Sequence, residues 1–312
     1  MSVDVPFHVE TPVWERDDRA FAGRRLLYKM DALQPCGSFK LRGVGAWFVQ
    51  AMDAGVERVI CPSGGNAGFA AAWCGRQSGM PVTIVVPETT SAEARDSIMR
   101  AGAEVVVHGA AFDEASAHAR ALADAGAGAF LHPFDDPLLW QGHGTLIDEI
   151  VAADIDFDCV VTSVGGGGLL IGILEGLARN GLGHIPVFAV ETAGAASLHA
   201  SLAQGRIVTL PAITSVATSL GARRVADTAF QLARAQAVTS LVVSDADAVG
   251  GCLDFADEMR VLVEPACGAA LAALQVHADR FASFKRPLIE VCGGIGVTAG
   301  KLEGWRRQFA SA

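Results

Sequence analysis

The chain has 312 residues, 51% of them hydrophobic and 19% charged, which is ample for packed cores and points to two domains. Thirty-four acidic against 24 basic residues give a formal charge of −10, and no run of lysine or arginine matches a phosphate backbone, so no nucleic-acid partner is expected. Residues 1–10 hold no apolar core segment, no stretch is apolar enough for a membrane span, and the seven cysteines show no CxxC spacing, so a cytoplasmic protein without disulfide frame or zinc site is predicted.

Short apolar runs alternate with longer helical patterns, and glycine or proline marks most boundaries, the rhythm of an α/β protein with parallel strands. In chain order, strands are predicted at residues 25–30, 58–61, 82–86, 104–107, 129–131, 159–164, 187–190, 241–243 and 287–291. Helices fill most of the intervals, among them 67–77, 169–180 and the alanine-rich stretch 110–128. Apolar strands with little alternation are covered on both faces, so the functional turns are expected at strand C-terminal ends.

Four motifs stand at such turns. Lys40 lies in Gly37-Ser38-Phe39-Lys40-Leu41-Arg42-Gly43, where glycines bracket a short basic segment and Phe39 offers a flat wall. Next, Ser63-Gly64-Gly65-Asn66-Ala67-Gly68 joins a strand to a helix, leaving free N–H groups at a positive dipole end suited to a carboxylate. Asn66 there reads either as a contact to a ring hydroxyl or as a helix N-cap. The tetraglycine Gly165-Gly166-Gly167-Gly168 before Leu169 makes the same strand-to-helix turn and suits a phosphate. A dinucleotide fold is the rival, with Glu191 as the ribose acid, but Leu170 stands where that fold needs a small residue. Finally, Cys292 follows the last apolar run and precedes Gly293-Gly294, either as a buried thiol or pointing into a site. A Schiff-base lysine, a phosphate cradle and a buried polar residue after a late strand are what a pyridoxal phosphate site requires.

In this order the four motifs resemble the fold-type II pyridoxal phosphate enzymes, and within them the L-serine/L-threonine dehydratases. The likeness spans almost the whole chain and includes Thr11-Pro12, His132-Pro133-Phe134-Asp135-Asp136-Pro137 and Val263-Glu264-Pro265-Ala266-Cys267-Gly268-Ala269-Ala270, the last similar to the short serine dehydratases. It implies a small domain, residues 35–136, inserted into a large cofactor domain of residues 1–34 and 137–312, with the cofactor in the cleft. Lys40 would carry the cofactor, Phe39 lie against its ring, Asn66 bond its 3'-hydroxyl, Gly165 to Leu169 hold its phosphate and Cys292 face its pyridine nitrogen. Ser63, Gly64, Gly65, Asn66 and Ala67 would bind the substrate carboxylate. A monovalent cation such as K+ would sit among Gly165, Glu191, Ala195, Leu220 and Ala222.

The reaction implied is loss of water and ammonia from L-serine or L-threonine, giving pyruvate or 2-oxobutanoate, by a homodimer. Other β-hydroxy amino acids such as phenylserine remain open. Serine racemases resemble the chain too, but they carry a serine acid/base where this sequence has Gly64, so racemisation is expected to be minor. A catalytically silent phosphate or nucleotide module is the reading from another class, and the retained Lys40 speaks against it. Related dehydratases have a Ser-Asn pair where this chain has Ile295-Gly296, which is expected to alter contacts at the pyridine edge. With the chain ending at Ala312, no regulatory domain and no feedback by isoleucine are expected.

Overall fold

Buried apolar runs form the strands, and the positions where they end set the site. The computed structural model describes residues 6–18 and 23–309, so part of the predicted N-terminal segment, residues 1–5, lies outside the described residues. The first half of the chain forms β1 (Val13–Asp17), β2 (Arg25–Lys29), α1 (Lys40–Asp53), β3 (Val59–Cys61), α2 (Asn66–Ser78), β4 (Val82–Val86), α3 (Ala92–Arg100), β5 (Glu104–Val107), α4 (Phe112–Asp124) and β6 (Ala129–Phe130). The second half forms α5 (Pro137–Ala152), β7 (Cys159–Ser163), α6 (Gly168–Arg179), β8 (Val187–Thr192), α7 (Ser197–Gln204) and α8 (Asp227–Ala235). It closes with β9 (Val238–Val243), α9 (Asp245–Met259), α10 (Pro265–Val276), β10 (Pro287–Glu290) and α11 (Ala299–Phe309). Among the described residues no helix is long and apolar enough to cross a membrane.

Two sheets result, one ordered β1-β2-β10-β7-β8-β9 and the other β5-β4-β3-β6. All pairings are parallel except β1 with β2. That antiparallel edge strand, Val-Trp-Glu-Arg-Asp, is absent from the sequence prediction because three of its five residues are charged and its outer half is exposed, as befits an edge. Strands β4, β7 and β8 are buried at every residue, which requires cover on both faces. Helix α4 is shorter than the predicted 110–128 because Gly126 and Gly128 at its end adopt positive φ.

Strand order locates the clefts. In the larger sheet β7 has β8 on one side and β10 on the other, so the turns after β7 and β10 leave the sheet at a topological switch point. In the smaller sheet β3 lies between β4 and β6, which makes the turns after β3 and β6 the equivalent pair. Three of these four turns carry predicted motifs, and the fourth is the His132-Pro133-Phe134 segment.

Helix α1 is seated by glycines. A Cβ on Gly43 would lie 2.5 Å from His143 Cε1, and one on Gly142 would lie 2.4 Å from the Arg42 carbonyl oxygen, so α1 and α5 cross at backbone distance. Gly142→Val is expected to cost about 1–3 kcal/mol through overpacking, read as a lower urea midpoint with unchanged m-value.

Candidate active site

Lys40 is the first residue of α1, and the segment before it is fastened to the end of β10. Ser38 and Gly293 form an isolated antiparallel bridge, the Phe39 amide donates to Cys292 O at 3.1 Å, and the Gly294 amide donates to Gly37 O at 2.8 Å. Lys40 Nζ donates to Pro133 O at 2.7 Å and lies 5.0 Å from the Phe39 ring centroid. Burial lowers its pKa from 10.5 to about 8, and the positive end of α1 works in the same direction. Phe39 in turn rests on the imidazole of His143, ring centroids 4.9 Å apart. Burial, then the field of Lys40, pushes His143 well below the usual histidine range, so this backing group is neutral.

The tetraglycine turn joins β7 to α6, and each of its residues has a steric reason to be glycine. A Cβ on Gly166 would meet the Phe134 ring at 2.3 Å, one on Gly168 the Phe134 carbonyl oxygen at 2.5 Å, and one on Gly165 the Leu220 Cα at 3.0 Å. Gly167 has φ +94° and is the N-cap of α6. The first-turn N–H groups of that helix have no carbonyl within the helix to bond. A phosphate dianion fits this donor set. The dinucleotide reading does not fit, because Glu191 is buried with its two oxygens accepting from the amides of Leu198, 2.9 Å, and His199, 2.7 Å, at the start of α7. It is turned away from any ribose. Burial raises its pKa to about 8 against the pull of those amides. Of the other residues expected around a cation, Gly165 abuts Leu220, the Leu220 carbonyl accepts from Ala222 N at 2.8 Å, and Ala195 ends the short turn that follows β8.

In the turn after β3, Gly65 N donates to Ser63 Oγ at 3.3 Å, and Gly68 lies so near Ser63 O that a Cβ would stand at 1.8 Å. The N-cap reading of Asn66 is corrected: Gly65 holds the N-cap position, and Asn66 and Ala67 are already helical. The Asn66 side chain instead reaches across the cleft, Nδ2 donating to Glu264 Oε1 at 2.7 Å and Oδ1 accepting from Ile295 N at 2.9 Å. Glu264 Oε2 accepts from Gly296 N at 3.1 Å. The Ile295-Gly296 pair therefore contacts Asn66 and Glu264 through main-chain amides, while Gly294, with φ +128°, stays small beside the Glu264 carboxyl, 2.0 Å from a Cβ. Cys292 is buried, and the neighbouring Cys267 thiol, together with burial, holds its pKa well above the usual range, so it presents a neutral thiol.

Sequence reasoning missed the group that positions Lys40. Arg42, two residues on, is fully buried; its Nε donates to Asp31 Oδ2 at 2.7 Å, and its Nη2 reaches Asp31 Oδ1 at 2.8 Å and Glu149 Oε2 at 2.8 Å. Lys29 Nζ bonds Glu149 Oε2, and Thr11 Oγ1 donates to Asp31 Oδ1 at 2.7 Å. The nearest signal in the sequence was Thr11-Pro12, taken only as a likeness. The Val263–Ala270 stretch gives Glu264 no role by itself, and no local pattern links it to Asn66, 198 residues away.

A lysine at a helix start, a glycine cradle at a second helix start and a neutral thiol at a strand end, gathered at the switch points of two mostly parallel sheets, define an α/β enzyme built around a phosphate-bearing cofactor. Residues 6–293 match the family described as pyridoxal-phosphate dependent enzyme, and the chain belongs to that family. Its cofactor is pyridoxal 5'-phosphate. The chain is 42% identical to a human protein named L-serine dehydratase/L-threonine deaminase, the match covering 97% of this chain and 96% of that one. It is 41% identical to the human protein named serine dehydratase-like, over 96% and 94% of the two chains. Among solved structures, the L-serine ammonia-lyase of the fungus Rhizomucor miehei superposes with a TM-score of 0.91 at 32% identity, covering 98% of this chain and all of that one.

Arg42→Met leaves Asp31 and Glu149 buried without their main cation, and is expected to destabilise the fold by about 3–5 kcal/mol, measured by chemical denaturation.

Proposed function

We propose that this protein is a pyridoxal-phosphate-dependent ammonia-lyase that converts L-serine and L-threonine to pyruvate or 2-oxobutanoate and ammonia. The observation that carries the reading is the Lys40 amine, fixed to Pro133 O beside the glycine cradle with its pKa lowered to about 8. The names of the relatives support the substrate class.

The bound cofactor supplies an electron sink for the bonds at the substrate Cα. Amides of Gly165, Gly166, Gly167, Gly168 and Leu169 would hold its phosphate, Phe39 would lie along the ring with His143 behind it, and Asn66 would reach the 3'-hydroxyl. Cys292 would face the pyridine nitrogen. As a neutral thiol it would not stabilise a protonated ring nitrogen as a carboxylate would, which would limit the sink and suit expulsion of a β-hydroxyl better than a long-lived carbanion. Ser63 and the amides of Gly64, Gly65, Asn66 and Ala67 would take the substrate carboxylate at the positive end of α2. Lys40, once free, removes the Cα proton as general base. At Gly64 there is no second acid/base to return a proton from another direction, so racemisation stays minor.

We further propose that, within residues 35–136, the smaller sheet β5-β4-β3-β6 with α2, α3 and α4 closes over the large domain of residues 1–34 and 137–312, while α1 stays with that domain, held by the Ser38–Gly293 bridge, the Arg42 network and its crossing with α5. A monovalent cation beside Glu191 would supply the counter-charge that this buried carboxyl lacks. The protein would act as a cytoplasmic homodimer, the commonest soluble assembly, and its seven free, buried cysteines suit a reducing compartment.

Keto acid release from L-serine and L-threonine by the cofactor-loaded protein is the test, with Lys40→Ala as control; loss of at least about 10²-fold is expected in the variant. Release by neither substrate would overturn the reading. Because Lys40 accepts the proton as a free amine only in the substrate complex, and its ammonium form cannot, kcat is expected to rise with pH and level off above about 8, where the amine is neutral. A pH profile from 6 to 10 checks this.

A further inference from the structure

Gly64 is not bordered by open space. A Cβ built on it would lie 2.8 Å from Thr90 Cγ2, 3.0 Å from Thr90 Oγ1 and 3.4 Å from Val86 Cγ1. Thr90 comes from a different segment, the turn between β4 and α3, and its backbone is held on both sides. Its amide donates to Pro87 O at 3.0 Å, its carbonyl accepts from Arg95 Nε at 2.8 Å, Arg95 Nη2 also donates to Glu88 O at 2.6 Å, and the next residue, Ser91, caps α3. The Thr90 hydroxyl has no hydrogen-bond partner among the described residues, and the side chain is only partly buried. A methyl and an unbonded hydroxyl are thus fixed directly over the middle of the Ser63–Ala67 turn.

We propose that Thr90 is a specificity-determining residue of the substrate pocket: its hydroxyl donates to the substrate carboxylate bound on that turn, and its methyl limits the size of the β-substituent beside it. This rests on the ammonia-lyase reading and deepens it by defining the substrate class as β-hydroxy amino acids with a small β-substituent. A hydroxyl donating to a carboxylate strengthens binding of substrate and transition state alike, so its loss appears in KM more than in kcat. The methyl acts by exclusion, so its loss appears in the ratio between substrates.

Two variants separate these roles. Thr90→Val keeps the shape and removes the hydroxyl; KM for L-serine is expected to rise about 10-fold or more, with kcat changed less and the phenylserine-to-serine ratio of kcat/KM unmoved. Thr90→Ser keeps the hydroxyl and removes the methyl; KM for L-serine is expected to stay within about twofold while that ratio rises about 10-fold. A stability cycle reads the contact without catalysis: Gly64→Ala should lower Tm, and adding Thr90→Ala should restore it. Unchanged KM in Thr90→Val together with an unchanged ratio in Thr90→Ser overturns the proposal, as does a double variant no more stable than Gly64→Ala alone. A parent that releases no keto acid from serine, threonine or phenylserine overturns the ammonia-lyase reading itself, whereas an active parent whose Thr90→Val variant keeps its KM and whose Thr90→Ser variant keeps its ratio overturns only the role of Thr90.

Discussion

The buried ion network around Arg42 is the constraint on which the rest of the site depends. Two cations, Lys29 and Arg42, meet two carboxylates, Asp31 and Glu149, and the four residues come from β2, the turn after it, α1 and α5. Burial alone would push Asp31 upward, but the Arg42 guanidinium outweighs it and holds this carboxyl below its ordinary range. The balance of two against two matters because a charge taken from water and left unpaired is far costlier than a well-bonded pair. Glu290, at the end of β10 with both oxygens lacking a hydrogen-bond partner among the described residues, obeys the same rule differently: burial and the field of Asp31 raise its pKa well above normal, and it stays neutral. Since Arg42 lies two residues from Lys40, fixing its guanidinium fixes the first turn of α1 and with it the root of the lysine.

Around the cleft the opposite principle holds. Lys40 is lowered to about 8, His132 to about 4 by burial and the field of Lys40, and His143 well below the usual histidine range, while burial raises Cys61 to about 12 and Cys292 is raised by Cys267 and burial. Every one of these shifts favours the uncharged form. A pocket whose side chains contribute so little charge receives its anions, a phosphate and a carboxylate, on helix N-termini, where the partial charges are part of the backbone and need not titrate. Such dipoles are oriented before the ligand arrives, and α2 and α6 begin at the two turns concerned.

What the sequence made legible follows from the range of the forces involved. Strands β3, β4 and β7 fall within a residue of their predicted bounds because continuous apolar runs beside glycine or proline report burial on both faces. The glycine turns were readable because backbone geometry is a local property. Strand β1 was not, since an edge strand with alternating charge has no apolar signature, and β9 begins at Val238, three residues earlier than its most apolar part. Asn66 to Glu264 and Thr90 over Gly64 escaped for a different reason: each joins residues that only the tertiary fold brings together, so no window along the chain contains both partners. Sequence pattern thus located the loops, and only the packing between sheets revealed what each loop rests on.

One such contact decides how the two ends of the site are spaced. The segment after β6 offers the Pro133 carbonyl to Lys40 Nζ, while the next residue, Phe134, lays its ring on Gly166 and its carbonyl against Gly168. That carbonyl also accepts from Trp140 Nε1 at 2.8 Å, and His132 Nδ1 accepts from Asp135 N at 2.7 Å, so the turn is braced from both sides. The amine and the phosphate cradle are therefore measured off against adjacent residues of one rigid turn from the smaller sheet. A group that must touch both at once finds them already at a fixed separation, and little conformational freedom remains to be lost when it binds.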